Sequence, residues 1–81
     1  MERVASLEDE VRGVVAGILE MELAQIDGEA RLVQDLGMDS MMALEIIASI
    51  EKKYKIKLPE QELQNVTTLN RVIELTRRYV Q

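Results

Sequence analysis

The residue best placed for chemistry is Ser40, which begins a predicted helix in the run Leu36-Gly37-Met38-Asp39-Ser40-Met41. A phosphate esterified to this hydroxyl would lie near the unpaired N–H groups and the positive end of the helix dipole. The chain has no histidine to activate the hydroxyl, and the nearest lysine, Lys52, is twelve residues along. A modification of Ser40 would therefore require another enzyme. Ordinary capping of the helix by Asp39 or Ser40 explains the same residues without any modification.

Composition excludes several other kinds of site. The 81 residues include no cysteine and no histidine, which excludes disulfides, Cys/His zinc sites, thiol nucleophiles and serine hydrolases with a histidine base. The formal net charge of −5 argues against nonspecific binding to nucleic acid or anionic membranes. No apolar run approaches the roughly 18 residues of a membrane span, and the first ten residues lack a signal-peptide core. We expect a single cytoplasmic domain, residues 1–81, that is not an enzyme.

Helical periodicity predicts an all-α fold with no strand: a small antiparallel bundle of three longer helices and one short helix. The first predicted helix runs from a Ser6 cap to residues 21–23, the second covers residues 40–54, and the third covers residues 60–64. The last begins at a Thr67 or Thr68 cap and extends to the apolar residues Tyr79 and Val80.

A long loop is predicted between the first two helices, over residues 24–39. Loops of this length are uncommon in compact domains and are often functional. Its acidic residues do not form a calcium site, because an EF-hand beginning at Asp27 needs glycine at its sixth position, where Leu32 stands. We therefore expect no metal, and we expect the apolar residues of the loop to pack over the helices.

The second helix has two apolar faces. A core face of about 100° is formed by Ala43, Ile46, Ile47, Ile50 and Tyr54. A second arc, centred roughly 145° away, contains Met41, Leu44 and Ala48, with Glu45 and Glu51 at its edges. An exposed apolar strip with a polar rim often marks an interaction site. The alternative is that the long loop covers this strip.

The run Leu36-Gly37-Met38-Asp39-Ser40-Met41-Met42-Ala43-Leu44-Glu45 resembles the Gly-x-Asp-Ser-[Leu/Met] signature of acyl carrier proteins. The resemblance extends from Leu7 to Val80, in the order and spacing of that family. It implies a helical bundle in which Ser40 carries 4′-phosphopantetheine, transferred from coenzyme A by a holo-carrier-protein synthase. Acyl intermediates would then be held as thioesters on the terminal thiol. The absence of cysteine is consistent with this, because the reactive sulfur arrives with the prosthetic group.

The resemblance also implies roles for individual residues. Asp39 would assist recognition by the transferase. The surface that contacts partner enzymes would comprise Asp35, Met41, Leu44, Glu45, Ala48 and Glu51. The candidates for an acyl-chain pocket are Ile46, Ile50, Leu63 and Val66, although a plain aliphatic core explains them equally well. The implied partners are the holo-synthase and enzymes that transfer or modify acyl groups, and we expect a monomer.

The second helix departs from the acid-rich pattern of the family. Met42 stands where an acid is common, and Lys52 and Lys53 replace acids near the helix end. This favours a specialised pathway over a general fatty-acid synthase, and the enzymes served are expected to belong to fatty-acid, lipid or polyketide biosynthesis. An aminoacyl or peptidyl carrier shares the serine motif and remains an alternative. A helical adaptor that is never modified is another.

Overall fold

The computed structural model describes residues 6–80, and this part of the chain is helical. It has three α-helices, α1 (Leu7–Leu19), α2 (Ser40–Tyr54) and α3 (Leu69–Val80), and two 3₁₀ helices, Leu23–Gln25 and Glu60–Asn65. Within residues 6–80 the β-structure is limited to one isolated backbone bridge, Arg31 to Thr68. The predicted all-α class, with three longer helices and a short one, is confirmed. The short helix is of the 3₁₀ type, and the turn at Leu23–Gln25 was not expected.

Side-chain caps account for the positions where the α-helices begin. Ser6 Oγ accepts a hydrogen bond from the Asp9 N–H (3.1 Å) at the start of α1. At the start of α2, Asp39 Oδ1 accepts from the Met42 N–H (2.9 Å). At the start of α3, Thr68 Oγ1 accepts from the Arg71 N–H (3.1 Å). Each cap satisfies an amide that has no partner within the helix. Of the alternatives at α2 and α3, the structure selects Asp39 and Thr68.

Helix α1 ends at Leu19, short of the predicted 21–23. Glu20 adopts a left-handed conformation (φ 57°), and the Met21 N–H donates to the Ala16 carbonyl at 2.9 Å. This six-to-one hydrogen bond is the closing bond of a Schellman motif, which stops a helix even where apolar residues continue.

Helix α1 packs against both α2 and α3. The core between them is aliphatic, and its fully buried side chains include Val11, Val15, Ile46, Ile50, Leu69, Val72 and Leu75. A polar contact at the edge also joins α1 to α2: Tyr54 Oη donates to Glu10 Oε1 at 2.7 Å. Burial and this hydrogen bond to a carboxylate raise the pKa of Tyr54 to about 12.

The long loop is attached to the start of α3. The Leu32 N–H donates to the Thr67 carbonyl (2.8 Å), and the Asn70 N–H donates to the Gly28 carbonyl (2.9 Å). The Asn70 side chain packs against the backbone of Gly28, since a Cβ on Gly28 would lie 2.5 Å from Asn70 Oδ1. Leu32 itself is fully buried. These contacts hold the loop against the start of α3. The loop therefore does not cover Met41 on α2, which is exposed.

The 3₁₀ helix Glu60–Asn65 is fastened to α3 by Glu62. Tyr79 Oη donates to Glu62 Oε2 (2.6 Å), and Asn65 Nδ2 donates to Glu62 Oε1 (2.7 Å). These hydrogen bonds lower the pKa of Glu62, the bond from Tyr79 contributing most. The carboxylate therefore stabilises the fold above the ordinary glutamate pKa, and the contribution is lost as pH falls through the lower pKa of the folded state.

Glu62→Gln is accordingly expected to lower the stability of the fold at neutral pH. Below the ordinary glutamate pKa, the stability of this variant should decrease less with falling pH than that of the wild type. Denaturant midpoints across an acidic pH series would show this. Glu60→Gln removes an exposed carboxylate from the same short helix and is the matched control. If stability fell as steeply with decreasing pH in Glu62→Gln as in the wild type, the stabilising role assigned to the Glu62 carboxylate would be contradicted.

Candidate functional site

Ser40 lies exposed on the surface as the first residue of α2. The turn before it contains Gly37, whose φ of 75° suits glycine, and the Gly37 N–H donates to the Val33 carbonyl at 3.1 Å. Asp39 then starts the helix through its bond to the Met42 N–H. A glycine turn and a carboxylate cap therefore place the hydroxyl at the positive end of α2.

The amides around Ser40 are suited to an anion. Within residues 6–80, no hydrogen bond is recorded for the N–H groups of Ser40 and Met41, as expected for the first turn of a helix. Phosphate groups bind favourably at such positions, because the unpaired amides and the dipole act together. The hydroxyl has no catalytic base of its own, since the chain has no histidine. The site is therefore suited to a phosphate-linked group.

An apolar recess of about 460 Å³ opens beside Ser40. It is lined by Val33, Met38, Asp39, Ser40, Ala43, Leu63 and Val66. Two of the four predicted pocket residues, Leu63 and Val66, are therefore at this recess. The other two, Ile46 and Ile50, are fully buried in the core and are not among its lining residues.

Val33 is a lining residue that the sequence analysis did not single out. Val33 is 52% exposed although it is apolar, and it lies in the long loop rather than in a helix. The available signal was an aliphatic residue of the long loop, seven positions before Ser40. Helical periodicity could not identify Val33 as a lining residue, because Val33 lies outside any regular helix.

The second apolar face of α2 is open to solvent. Met41 is 70% exposed and Leu44 is 51% exposed, and Glu45 and Ala48 are exposed beside them. The long loop does not cover these residues. We call Met41, Leu44, Glu45 and Ala48 the docking face, because the sequence analysis predicts partner contact there.

The other two acids predicted for partner contact also accept hydrogen bonds within the chain. Glu51 is half-buried, and its Oε2 accepts from the Leu58 N–H at 2.7 Å, which holds the turn after α2. Asp35 accepts from the Arg31 backbone N–H (2.9 Å) and pairs with its guanidinium (3.2 Å). These bonds lower the pKa of Asp35, the backbone bond most. Glu45 is therefore the acid of the predicted surface with no recorded partner within residues 6–80.

A second apolar groove, of about 380 Å³, lies between α2 and the 3₁₀ helix Glu60–Asn65. Its lining residues are Leu44, Ile47, Glu51, Lys57, Leu58, Pro59, Glu60 and Leu63. Leu63 lines this groove and the recess beside Ser40, so the two depressions are neighbours. The sequence analysis did not predict this groove.

The described part of the chain contains neither a metal site nor a membrane span. Across residues 6–80, no group of three or more acidic, histidine or cysteine side chains could hold a metal ion. No helix in that range has the length and apolarity to cross a bilayer.

Solved structures share this fold. The chain superimposes on the apo doublet acyl carrier protein from prodigiosin biosynthesis with a TM-score of 0.78 and 20% identity. The match covers 98% of this chain and 40% of the doublet. The HMG-ACPI domain from the CurA module of Lyngbya majuscula gives a TM-score of 0.73 and 20% identity, covering 99% of this chain and 86% of that one. At this identity the likeness concerns the fold.

Sequence comparison identifies the family. Residues 9–76 match the family described as Phosphopantetheine attachment site. "Polyketide-8 synthase acyl carrier protein 2" of Streptomyces avermitilis is 38% identical over 68 residues, which is 84% of this chain and 78% of that protein. "Acyl carrier protein" of Helicobacter pylori is 30% identical over 69 residues, 85% and 88% of the two chains. The chain therefore belongs to the acyl carrier protein family, whose members carry acyl intermediates in biosynthesis on 4′-phosphopantetheine covalently attached to a serine.

Proposed function

We propose that Ser40 is the serine that carries 4′-phosphopantetheine in this chain. The observation that supports this most strongly is its position: an exposed hydroxyl at the positive end of α2, between an apolar recess and the docking face. The other serines among residues 6–80 differ from it. Ser6 caps α1, and Ser49 is half-buried within α2.

The residues around Ser40 suit the group. The amides of Ser40 and Met41 would face its phosphate, and the recess lined by Val33 and Leu63 would shelter an apolar part of the arm or its cargo. When attached, the group supplies a thiol on a flexible arm, which holds acyl groups as thioesters. The chain itself positions this arm and presents a surface to partner enzymes, and we propose that it performs no catalysis.

We further propose that the carrier serves a specialised pathway of the polyketide kind. The polyketide synthase relative from Streptomyces supports this. The charge of α2 supports it as well. Glu45, the acid of the docking face, has no ion-pair partner within residues 6–80, and lysines follow it along the helix. The proposed partners are a holo-carrier-protein synthase and the acyl-transferring enzymes of that pathway. We propose that the carrier meets them as a cytoplasmic monomer.

Mass spectrometry tests the attachment. The chain, incubated with coenzyme A and a broad-specificity phosphopantetheinyl transferase, is expected to gain the mass of one phosphopantetheine group. Ser40→Ala should gain none, and Ser49→Ala, which removes the other serine of α2, should be modified like the wild type. A wild-type chain that stays unmodified would favour the alternative of a helical adaptor.

Asp39 has two separable roles, as helix cap and as charged residue. Asp39→Ala is expected to cost about 1 kcal/mol of stability through loss of the cap, whereas Asp39→Asn keeps a capping oxygen and removes the charge. If the transferase recognises the carboxylate, both variants lose activity in the transferase assay, and only Asp39→Ala loses stability in thermal unfolding. Normal modification of Asp39→Asn would show that Asp39 is a cap alone.

A further inference from the structure

Glu62 carries the only carboxylate that is buried among residues 6–80. Taking a charge out of water is unfavourable unless its oxygens accept hydrogen bonds. Both of them do, from Tyr79 Oη at 2.6 Å and from Asn65 Nδ2 at 2.7 Å. Asn65 Oδ1 in turn accepts from Arg71 Nη2 at 3.3 Å. We call Glu62, Asn65, Arg71 and Tyr79 the clamp.

The clamp fastens the 3₁₀ helix Glu60–Asn65 to α3. Its two residues on α3, Arg71 and Tyr79, are eight positions apart, about 12 Å along the helix axis, so the attachment has two separate points. None of the hydrogen bonds and ion pairs recorded for residues 6–80 joins α2 to residues 60–80. The 3₁₀ helix is therefore held to α3 by directed bonds and faces α2 without one.

Leu63, the residue after Glu62, lies between two apolar depressions. It is the one residue shared by the lining of the recess beside Ser40 and the lining of the groove. On α2, Ala43 lines the recess and Ile47 lines the groove. These two residues are one turn apart on the same face of the helix, so the depressions follow one another along α2. Leu63 is placed as the partition between them.

We propose that Glu62 and Tyr79 are positioning residues for the cargo, which hold Leu63 as a partition that ends the recess and limits how far an acyl chain extends from Ser40 along α2. The proposal rests on the proposed carrier function, because the cargo is the acyl group of the Ser40 arm. Glu62 and Tyr79 line neither depression, and they act through Leu63. Without the clamp, the recess would continue into the groove as one channel along α2.

Removing the Tyr79 hydroxyl should release the clamp. In Tyr79→Phe, Glu62 Oε2 loses its donor, and a buried carboxylate oxygen without a partner is unfavourable. The carboxylate is therefore expected to turn toward water and to displace the 3₁₀ helix, with Leu63 on it. Leu63→Ala removes the partition directly and leaves the clamp residues in place, so both variants should open the same channel.

Tyr54→Phe is the matched control. It also removes a tyrosine hydroxyl that donates to a glutamate, Glu10, at 2.7 Å. This bond joins α1 to α2, and neither residue lines the recess or the groove. Loss of one tyrosine–glutamate hydrogen bond is common to Tyr54→Phe and Tyr79→Phe, so a difference in where an apolar ligand binds would not reflect stability alone.

Straight-chain alcohols of increasing length, from butanol to octanol, test the partition, and amide chemical shifts report where each alcohol binds. In the wild type and Tyr54→Phe, shifts are expected at Val33 and Ala43 beside the recess. In Tyr79→Phe and Leu63→Ala, octanol should also shift Ile47 in the groove and should bind at least about threefold more tightly than to the wild type, because more of its methylenes are buried.

Three results would overturn the proposal: no binding at the recess, groove shifts already present in the wild type, or the same binding site in Tyr79→Phe as in Tyr54→Phe. The titration uses the unmodified chain and the Ser40→Ala variant, so its outcome does not depend on whether Ser40 carries the arm. A failed attachment assay would contradict the carrier function, whereas a binding site unchanged by loss of the clamp would contradict the partition alone.

Discussion

Replacing Ile50 with alanine is expected to lower the free energy of unfolding by about 2–5 kcal/mol. Ile50 is fully buried on the core face of α2, and the cavity left by truncation in a packed core is only partly closed by relaxation. A domain of this length has a total stability of roughly 4–12 kcal/mol. Denaturant titration should therefore show a large fall in the midpoint, and the variant should be partly unfolded near its working temperature.

Leu44→Ala is the matched control on the same helix. Because Leu44 is 51% exposed, this variant is expected to change stability by only about 0.5 kcal/mol. It should instead weaken the binding of partner enzymes, measured by titration with the transferase. A loss of stability as large as that of Ile50→Ala would place Leu44 in the core and would contradict the assignment of the docking face.

Glu45→Lys is expected to reduce phosphopantetheine transfer by at least about tenfold in kcat/KM, since charge complementarity governs the encounter rate and orientation. Glu45 is exposed on the docking face and has no recorded ion-pair partner within residues 6–80. Lys53→Glu, an equally large charge reversal on the other side of α2, should leave transfer nearly unchanged.

Salt provides the check on this comparison. The difference between the two variants should shrink as ionic strength rises to about 1 M, where the screening length falls to about 3 Å. If the transferase were equally sensitive to both reversals across the salt series, net charge rather than the docking face would account for recognition.

Local sequence signals were sufficient to predict α2 and its two faces. The predicted and observed bounds agree at Ser40 and Tyr54, because a strong cap begins the helix and the apolar period of 3.6 residues continues to its end. The exposed strip followed from the same period, since Met41 and Leu44 cannot share a face with the buried Ile50. The end of α1 was misjudged, because the left-handed conformation of Glu20 leaves no signal in hydrophobic periodicity.

Features that depend on tertiary contacts were not predictable from periodicity. Glu51 is predicted to contact partners, and the structure adds a role that the sequence did not indicate: its carboxylate accepts the Leu58 N–H, a bond set by the path of the chain after α2. Val33 reaches the recess beside Ser40 only because the loop is fastened to the start of α3. Such contacts join segments whose spacing carries no regular pattern.

The most direct measurement is peptide mass spectrometry of the protein isolated from its native host. The account predicts that the proteolytic peptide containing Ser40 carries phosphopantetheine, with or without an acyl group on its thiol, and that peptides containing Ser6 or Ser49 do not. A Ser40 peptide recovered wholly unmodified, or the group found on a different serine, would contradict it.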